Sequence, residues 1–145
     1  MEPSCGSWSW AIAWSSPTTV TMLPVVPPEL ARHYARLSLR DVDLGFAGRR
    51  ATDHAVHQAI AALNPGDTLR LQREHEHWAL VDGRGNTVGW LARAYAPPAD
   101  MSCVEASVAA IIVREREDSD PEYQDRLRCE RWEVVVPDLV FTPGP

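Results

Sequence analysis

Hydrophobic and polar positions alternate with a period of two along most of the chain after residue 66. Thr68–Arg73 places Leu69 and Leu71 on one face, which is the pattern of a half-buried β-strand. The same pattern predicts further strands at Trp78–Val81, Thr87–Leu91, Val104–Arg114 and Trp132–Val136. Pro137 is predicted to stop the last of these strands, and Leu139–Phe141 to continue along an edge of the sheet.

Ahead of this β-rich part, the pattern predicts one strand and one helix. Residues 35–44 nearly alternate between apolar and polar side chains and predict a strand. Residues 53–63 carry apolar side chains on one helical stripe, with Thr52 or Asp53 as the N-cap. The following Asn-Pro-Gly-Asp ends the helix and turns the chain.

Together these elements predict a mostly β, α+β fold: a small, strongly bent antiparallel sheet or barrel of SH3 or OB type with one short helix. The barrel is predicted to span residues 67–141, within a single domain of residues 30–141. Residues 1–29 are rich in Ser, Pro and Trp with almost no charge, and we expect a disordered or loosely held tail. Residues 142–145 are predicted to form a short C-terminal tail.

Charge and composition narrow the classes of function. The net charge is −6, and all 14 basic residues are arginines, so the chain lacks the broad basic footprint of most nucleic-acid-binding domains. Residues 30–103 hold nine arginines against eight acids, whereas residues 104–145 hold five against ten. A local arginine face therefore remains open on the first part. No apolar run is long enough to span a membrane, and three widely spaced cysteines favour a cytoplasmic location.

Catalytic and metal-binding motifs are scarce. The sequence contains no GxSxG, P-loop or GxGxxG motif, and Gly83–Gly85 is predicted to form a hairpin turn between two strands. His54 with His57 and His75 with His77 form two local pairs, which leave a zinc site as a weak alternative. No cysteine or carboxylate completes a recognised ligand spacing. We therefore expect a protein that is not an enzyme and needs no cofactor.

Aromatic and arginine side chains are interleaved within a stretch of 24 residues, and this pattern is typical of single-stranded nucleic-acid binding. Bases stack on aromatic rings, while guanidinium groups hold phosphates. The alternative is that Trp78, Trp90 and Trp132 simply form the core. The candidate binding residues are Arg70, Arg73, Trp78, Arg84, Trp90 and Arg93.

Leu69–Glu74, Trp78–Asp82 and Gly85–Leu91 together resemble the middle of a HIRAN domain. HIRAN domains are small β-barrels attached to DNA helicases and remodelling ATPases, and some bind the 3′ end of single-stranded DNA. His75–Trp78 departs from the Asn and Tyr-Asp positions of that family, so no contact is carried over there. The positions that match the family pattern are Arg73, Glu74, Gly89, Trp90 and Leu91.

The block from Leu37 to Phe141 is also similar to the C-terminal accessory region of some bacterial RecQ-family helicases, although no helicase motor lies within these residues. The resemblance implies an accessory module that binds single-stranded DNA or a DNA end in a helicase or repair context, with a helicase or another protein as partner. The alternative is a protein–protein adaptor that uses the acidic segment Arg114–Glu130 and strand addition at Leu139–Phe141.

Overall fold

Six antiparallel strands form one sheet in the computed structural model, which describes residues 31–144. The strand order is β1-β6-β5-β2-β3-β4, so β1 and β4 are the two edges. The sheet is therefore open: of the two predicted forms, a bent sheet or a barrel, the structure has the sheet, and the predicted antiparallel, mostly β fold is confirmed. The strands are β1 (His33–Arg36), β2 (Thr68–Glu74), β3 (His77–Val81), β4 (Thr87–Trp90), β5 (Met101–Glu115) and β6 (Arg131–Pro143).

The helices among the described residues are short. Helix α1 (Ala55–Ala61) lies between β1 and β2, and helix α2 (Pro121–Gln124) lies between β5 and β6. Two single 3₁₀ turns, Leu39–Asp41 and Arg116–Asp118, complete the elements. Only one helix was predicted, because the charged segment that contains α2 shows no apolar stripe. Within residues 31–144, no helix is long and apolar enough to cross a membrane.

The two edges of the open sheet approach each other at one point. Val42, which follows β1, forms an isolated antiparallel bridge with Leu91, which follows β4. The N–H of Asp43 donates to the Trp90 carbonyl at 2.9 Å, and the N–H of Ala92 donates to the Asp41 carbonyl at 2.8 Å. A sheet whose two ends meet in this way is strongly bent, as the sequence predicted.

The hydrophobic core fills the inside of this bend. Leu80, Leu91 and Leu139 are fully buried, and Ile60 of α1 packs into the same cluster of side chains. Trp132 is also buried, whereas Trp78 and Trp90 are partly buried at the margin of the core. Burial of apolar side chains of this size stabilises the fold by about 1.5–3 kcal/mol each.

The strand predicted over residues 35–44 is wrong beyond Arg36. Ser38 and Asp41 bond to each other: the Ser38 N–H donates to Asp41 Oδ2 at 2.9 Å, and the Asp41 N–H donates to the Ser38 carbonyl at 3.0 Å. These local bonds give the backbone an alternative to the strand ladder, so the chain forms the 3₁₀ turn there. Apolar periodicity does not register such a competition.

The prediction that Pro137 stops the last strand is wrong, because Pro137 lies inside β6. It pairs with Val108 next to a register irregularity between Val108 and Ala110. The N–H of Val108 donates to the Asp67 carbonyl at 2.9 Å, and its carbonyl accepts from the Gly66 N–H at 2.7 Å. Because Val108 takes its backbone bonds from the chain between α1 and β2, the missing N–H of the proline costs the ladder little.

Leu139–Phe141 is not an edge strand, and the predicted tail at residues 142–145 begins too early. Leu139 pairs with Ala35 of β1 on one side and with Ala106 of β5 on the other. Strand β6 continues to Pro143. The short strand β1 covers this side of β6, so strand addition at Leu139–Phe141 is ruled out by pairing on both sides.

Helix α1 is shorter than the predicted helix over residues 53–63. Its N-cap is His54, and neither Thr52 nor Asp53 takes that role: His54 Nδ1 accepts the Val56 N–H at 3.0 Å. The N–H of His54 itself closes a turn to the Ala51 carbonyl at 2.9 Å, which delays the start of the helix. The predicted tail at residues 1–29 lies outside the described residues.

The interior position of Leu139 makes a prediction about stability. Leu139→Ala is expected to lower the free energy of unfolding by about 2–5 kcal/mol, because it leaves a cavity between three strands. Val104→Ala is the control, since Val104 is 49% exposed, and its effect is expected to stay within about 0.5 kcal/mol. Urea denaturation measures both variants, and equal effects would contradict this placement of Leu139.

Candidate nucleic-acid interface

A groove with a volume of about 880 Å³ runs between α1 and the turn that joins β3 to β4. We call it the α1 groove. Gln58 and Ala62 contribute to the helical wall, and the turn of residues 82–86 contributes to the other. Phe46, Arg50 and Trp90 also line it. Its volume is in the range of sites that bind small organic ligands, about 300–1,000 Å³.

An aromatic cluster forms one part of the groove wall. The Trp90 ring stacks on His77 with centroids 4.3 Å apart and meets Phe46 at 5.0 Å with a tilted geometry. Trp90 Nε1 donates to Glu74 Oε1 at 3.3 Å. The indole is therefore held by three side chains of the protein, and only part of it is left to face a ligand.

Arg50 extends over this cluster. Its guanidinium carbon lies 4.7 Å from the Phe46 ring centroid and 5.6 Å from the Trp90 ring. A planar guanidinium stacked on aromatic rings keeps its edge donors and its outer face available. Arg50 is thus placed to bind an anion, a flat ring, or both.

Arg84 reaches the groove from the opposite wall, on a tight turn organised by Asp82. One carboxylate oxygen of Asp82 accepts the N–H groups of Arg84 at 2.9 Å and of Asn86 at 2.8 Å, and the other accepts the Asn86 side chain. Gly85 has a φ of +88°, which the turn requires. The predicted hairpin turn is confirmed: the Asp82 carboxylate holds it together with two backbone bonds, from the Asp82 N–H to the Asn86 carbonyl at 2.9 Å and from the Gly85 N–H to the Asp82 carbonyl at 3.1 Å.

Burial of Asp82 opposes its ionisation, but the hydrogen bonds from Asn86 and Arg84 outweigh that cost. Together they lower the pKa of Asp82 below its ordinary value of 3.8. Asp82 is therefore ionised at neutral pH and fully engaged by the turn. It holds the backbone of Arg84 in the turn, and its oxygens already accept hydrogen bonds from the protein.

The acids and the arginines on the groove wall differ in how many bonds they form within the protein. Asp82 is held as described, Asp67 accepts the Asn64 N–H at 2.8 Å, and Glu74 accepts Trp90 Nε1. Within residues 31–144, neither Arg50 nor Arg84 forms a salt bridge. Among the described residues, the groove therefore holds two arginines without an ionic partner, while its three acids accept hydrogen bonds within the fold.

His54 adds a third donor to the same wall. Because its Nδ1 accepts the Val56 N–H, the neutral ring carries its proton on Nε2. His54 is exposed and lines the α1 groove. In this tautomer, the ring can donate one hydrogen bond to a ligand oxygen without giving up the helix cap.

The six residues predicted to bind nucleic acid do not form one patch. Arg73 pairs with Trp78 across β2 and β3, and its guanidinium lies 5.3 Å from the Trp78 ring. Trp90 pairs with Ala79, the neighbour of Trp78, so the two tryptophans point to opposite faces of the sheet. Arg84 and Trp90 meet at the α1 groove, whereas Arg73 and Trp78 form a separate pair.

Arg70 and Arg93 belong to neither wall of the groove. Arg70 is exposed on β2 and points to the face opposite Arg73, since the two are three residues apart. Arg93 lies 3.7 Å from Glu76 in an exposed ion pair, which is worth little in water. These two arginines are thus separate from the α1 groove.

The four histidines proposed as a weak zinc alternative are also dispersed. His54 caps α1, and His77 stacks on Trp90. His75 has a φ of +54° in the turn between β2 and β3, so it does not share a strand face with His77. Over residues 31–144, no three His, Cys, Asp or Glu side chains are grouped to hold a metal ion.

His57 instead meets Cys129, a pair that the sequence did not predict. Cys129 Sγ lies 3.6 Å from His57 Nε2 and donates to the Arg50 carbonyl at 3.2 Å. His57 Nε2 lies 2.9 Å from the Ala51 carbonyl, so it carries the proton there. Burial raises the pKa of the Cys129 thiol, partly offset by Arg116, and the pair is therefore not arranged as an activated thiolate.

Phe46 and Arg50 are the groove residues that sequence reasoning missed. They lie in the loop ahead of α1, where glycines and polar residues give no periodic signal. Nothing local connects them to Trp90, which they reach only because the ends of the sheet meet. The one local signal is their spacing of four residues, which places two side chains near each other if the chain makes a helical turn.

The turn held by Asp82 makes a pH-dependent prediction. Asp82→Ala is expected to lower the free energy of unfolding by about 1–3 kcal/mol at neutral pH, because several donors lose their acceptor. Since the folded pKa is depressed, the contribution of Asp82 is complete above pH 3.8 and is lost as the pH falls through the folded pKa. The difference from the wild type should therefore shrink in acid, measured by urea denaturation at each pH. Asp53→Ala, at an exposed position, is the control, and a difference independent of pH would refute the prediction.

Comparisons with family models, curated proteins and solved structures found no match to this chain.

Proposed function

We propose that this chain is a non-catalytic module that binds single-stranded nucleic acid or a DNA end in the α1 groove. The observation that carries the proposal is the position of Arg50: it lies over Phe46 and Trp90 and faces the groove. A guanidinium stacked on aromatic side chains can contact both the phosphate and the base of a nucleotide. Its donors suit a phosphate, and its outer face suits a base.

Arg84 and His54 extend this binding surface. The turn around Asp82 fixes the backbone of Arg84 at the groove, which reduces the backbone entropy lost when a ligand is bound. The neutral His54 ring supplies an Nε2–H donor from the side of α1. A nucleotide phosphate between Arg50, Arg84 and His54 would find donors and a compensating charge together.

The size and charge of the groove favour a short contact. Its volume of about 880 Å³ suits one or two nucleotides, and its wall holds two arginines beside three acids. An extended electrostatic track along many phosphates is therefore unsuited to this site. The HIRAN-like resemblance remains part of the proposal, with an accessory role beside a helicase or repair enzyme as its context.

Titration of a fluorescently labelled oligothymidine of about 10 nucleotides at low salt tests the proposal. Arg50→Ala and Arg84→Ala are each expected to weaken the affinity roughly 5- to 10-fold, because each removes a charged donor from the groove. Arg126→Ala is the matched control: it removes the same charge from an exposed position outside the groove. Its affinity should equal that of the wild type.

The salt dependence supplies a second criterion. With one or two phosphates bound, the logarithm of the association constant should fall against the logarithm of salt concentration with a slope of about −0.7 to −1.4. Absence of binding at low salt would reject the proposal. So would a slope steep enough to require many phosphates, since the groove could not supply that many contacts.

The Arg73–Trp78 pair offers a competing surface that the same titration can judge. Arg73 is exposed and stacks on Trp78, on the face away from Trp90. If the α1 groove is the binding site, Arg73→Ala should bind the oligonucleotide with an affinity within about twofold of that of the wild type. Arg73 lies outside the groove, and the loss of one exposed charge there changes the binding free energy by only a few tenths of a kcal/mol. A loss of binding in Arg73→Ala with normal binding in Arg50→Ala would move the site to the opposite face.

A further inference from the structure

The loop of residues 43–51 carries both Phe46 and Arg50, and it contains no helix or strand. Its shape is set by bonds within the loop: Arg49 pairs with Asp43 at 2.6 Å, and the N–H groups of Arg49 and Arg50 donate to the Gly45 and Ala47 carbonyls at 3.0 Å. Phe46 and Gly48 are buried against the rest of the protein. The contacts that bury the loop therefore set where the loop, and Arg50 with it, lies relative to the sheet.

Trp132 of β6 contacts the loop both by a hydrogen bond and by close packing. Its Nε1 donates to the Leu44 carbonyl at 2.8 Å, and the side chain is 3% exposed. Gly48 lies against the indole so closely that a Cβ there would be 2.7 Å from two ring carbons. Trp132 thus bonds to one end of the loop and packs against its middle.

The residues just before β6 hold the far end of the same loop. The N–H groups of Arg128 and Cys129 donate to the Gly48 carbonyl at 2.7 and 3.2 Å. Cys129 Sγ donates to the Arg50 carbonyl at 3.2 Å. The main chain is thereby fixed at Leu44, Gly48 and Arg50, and the Arg50 side chain is left to point toward Phe46 and Trp90.

We infer that Trp132 is a positioning residue for the α1 groove: it holds the loop so that Arg50 is preformed over Phe46 and Trp90. Trp132 does not line that groove, and it acts on a ligand only through Arg50. This inference rests on the proposed function for its effect on binding. The effect on the loop itself can be measured without any ligand.

A double-mutant cycle on oligothymidine affinity tests the inference. Trp132→Phe retains an aromatic ring against Gly48 but removes the donor to Leu44, and it should weaken the affinity about 2- to 10-fold. In the Arg50→Ala background, the same change should have no further effect, because the residue through which it acts is gone. An equal loss in both backgrounds, or no loss in either, would overturn the inference.

A ligand-free measurement separates this inference from the proposed function. Backbone hydrogen exchange across residues 45–50 should be faster in Trp132→Phe than in the wild type. Leu139→Val, which trims a buried side chain between β1 and β5, controls for general destabilisation and should leave that segment unchanged relative to the rest of the sheet. Unchanged exchange in Trp132→Phe would overturn the positioning role even if the groove binds DNA.

Gly48→Ala tests the same contact from the side of the loop. The added Cβ would collide with the buried indole, so the loop must shift, and the affinity should fall by at least as much as in Trp132→Phe. If Arg50→Ala itself binds DNA normally, the proposed function fails, and hydrogen exchange alone decides the positioning role. A Gly48→Ala protein with normal exchange and normal affinity would contradict it.

Discussion

The ladder between β5 and β6 is the constraint on which the other elements depend. These two strands are the longest of the sheet, and they pair from Met101 with Pro143 to Glu115 with Arg131. Strand β1 joins one side of the ladder and β2 the other. Two register irregularities, near Val104 and near Val108, interrupt the ladder, and irregularities of this kind increase local bend and twist. A long, bent pair of strands thus supplies the frame on which the short strands can curve toward one another.

The α1 groove is a consequence of that curvature. Where Val42 bridges Leu91, the chain after β1 is brought beside the end of β4. The loop that begins there is therefore next to Trp90, although the two are far apart in sequence. At the start of β6, Trp132 then holds this loop through its hydrogen bond to the Leu44 carbonyl. The groove is built by the two ends of one sheet, with α1 covering the space between them.

Much of the fold could be predicted from the sequence, since alternation places β2, β3 and β4 within one residue of their observed ends and one apolar stripe identifies α1. The errors share a physical cause, which is that another bond outweighs periodicity. Ser38 and Asp41 bond to each other and end β1 early. Val108 bonds to the loop before β2, which lets Pro137 remain inside β6.

The site was only half predictable for a similar reason. Arg84 and Trp90 belong to one hairpin and do line the groove, so local sequence was enough to identify them. Arg73 and Trp78 belong to the neighbouring hairpin of β2 and β3 and face the other way. Successive side chains of a strand point to opposite faces of the sheet, and the interleaved pattern of arginines and aromatics did not distinguish the two faces. Phe46 and Arg50 enter only through the bridge between Val42 and Leu91, which is a tertiary contact that no local pattern encodes.

The acidic balance of the chain, at first an argument against a nucleic-acid ligand, has less force at the level of single side chains. Of the 20 acids, ten lie in residues 104–145, and none of these lines the α1 groove. Charges beyond about 8 Å are largely screened at physiological salt, so the nearest groups dominate the local field. In the groove, Asp67, Glu74 and Asp82 accept hydrogen bonds from the protein, whereas Arg50 and Arg84 form no salt bridge among residues 31–144. Since few phosphates can be neutralised there, the proposed binding requires most of its affinity to come from stacking against Arg50 and the aromatic wall. The small contact that we propose is therefore compatible with a net negative charge, whereas the same charge disfavours sliding along an extended strand.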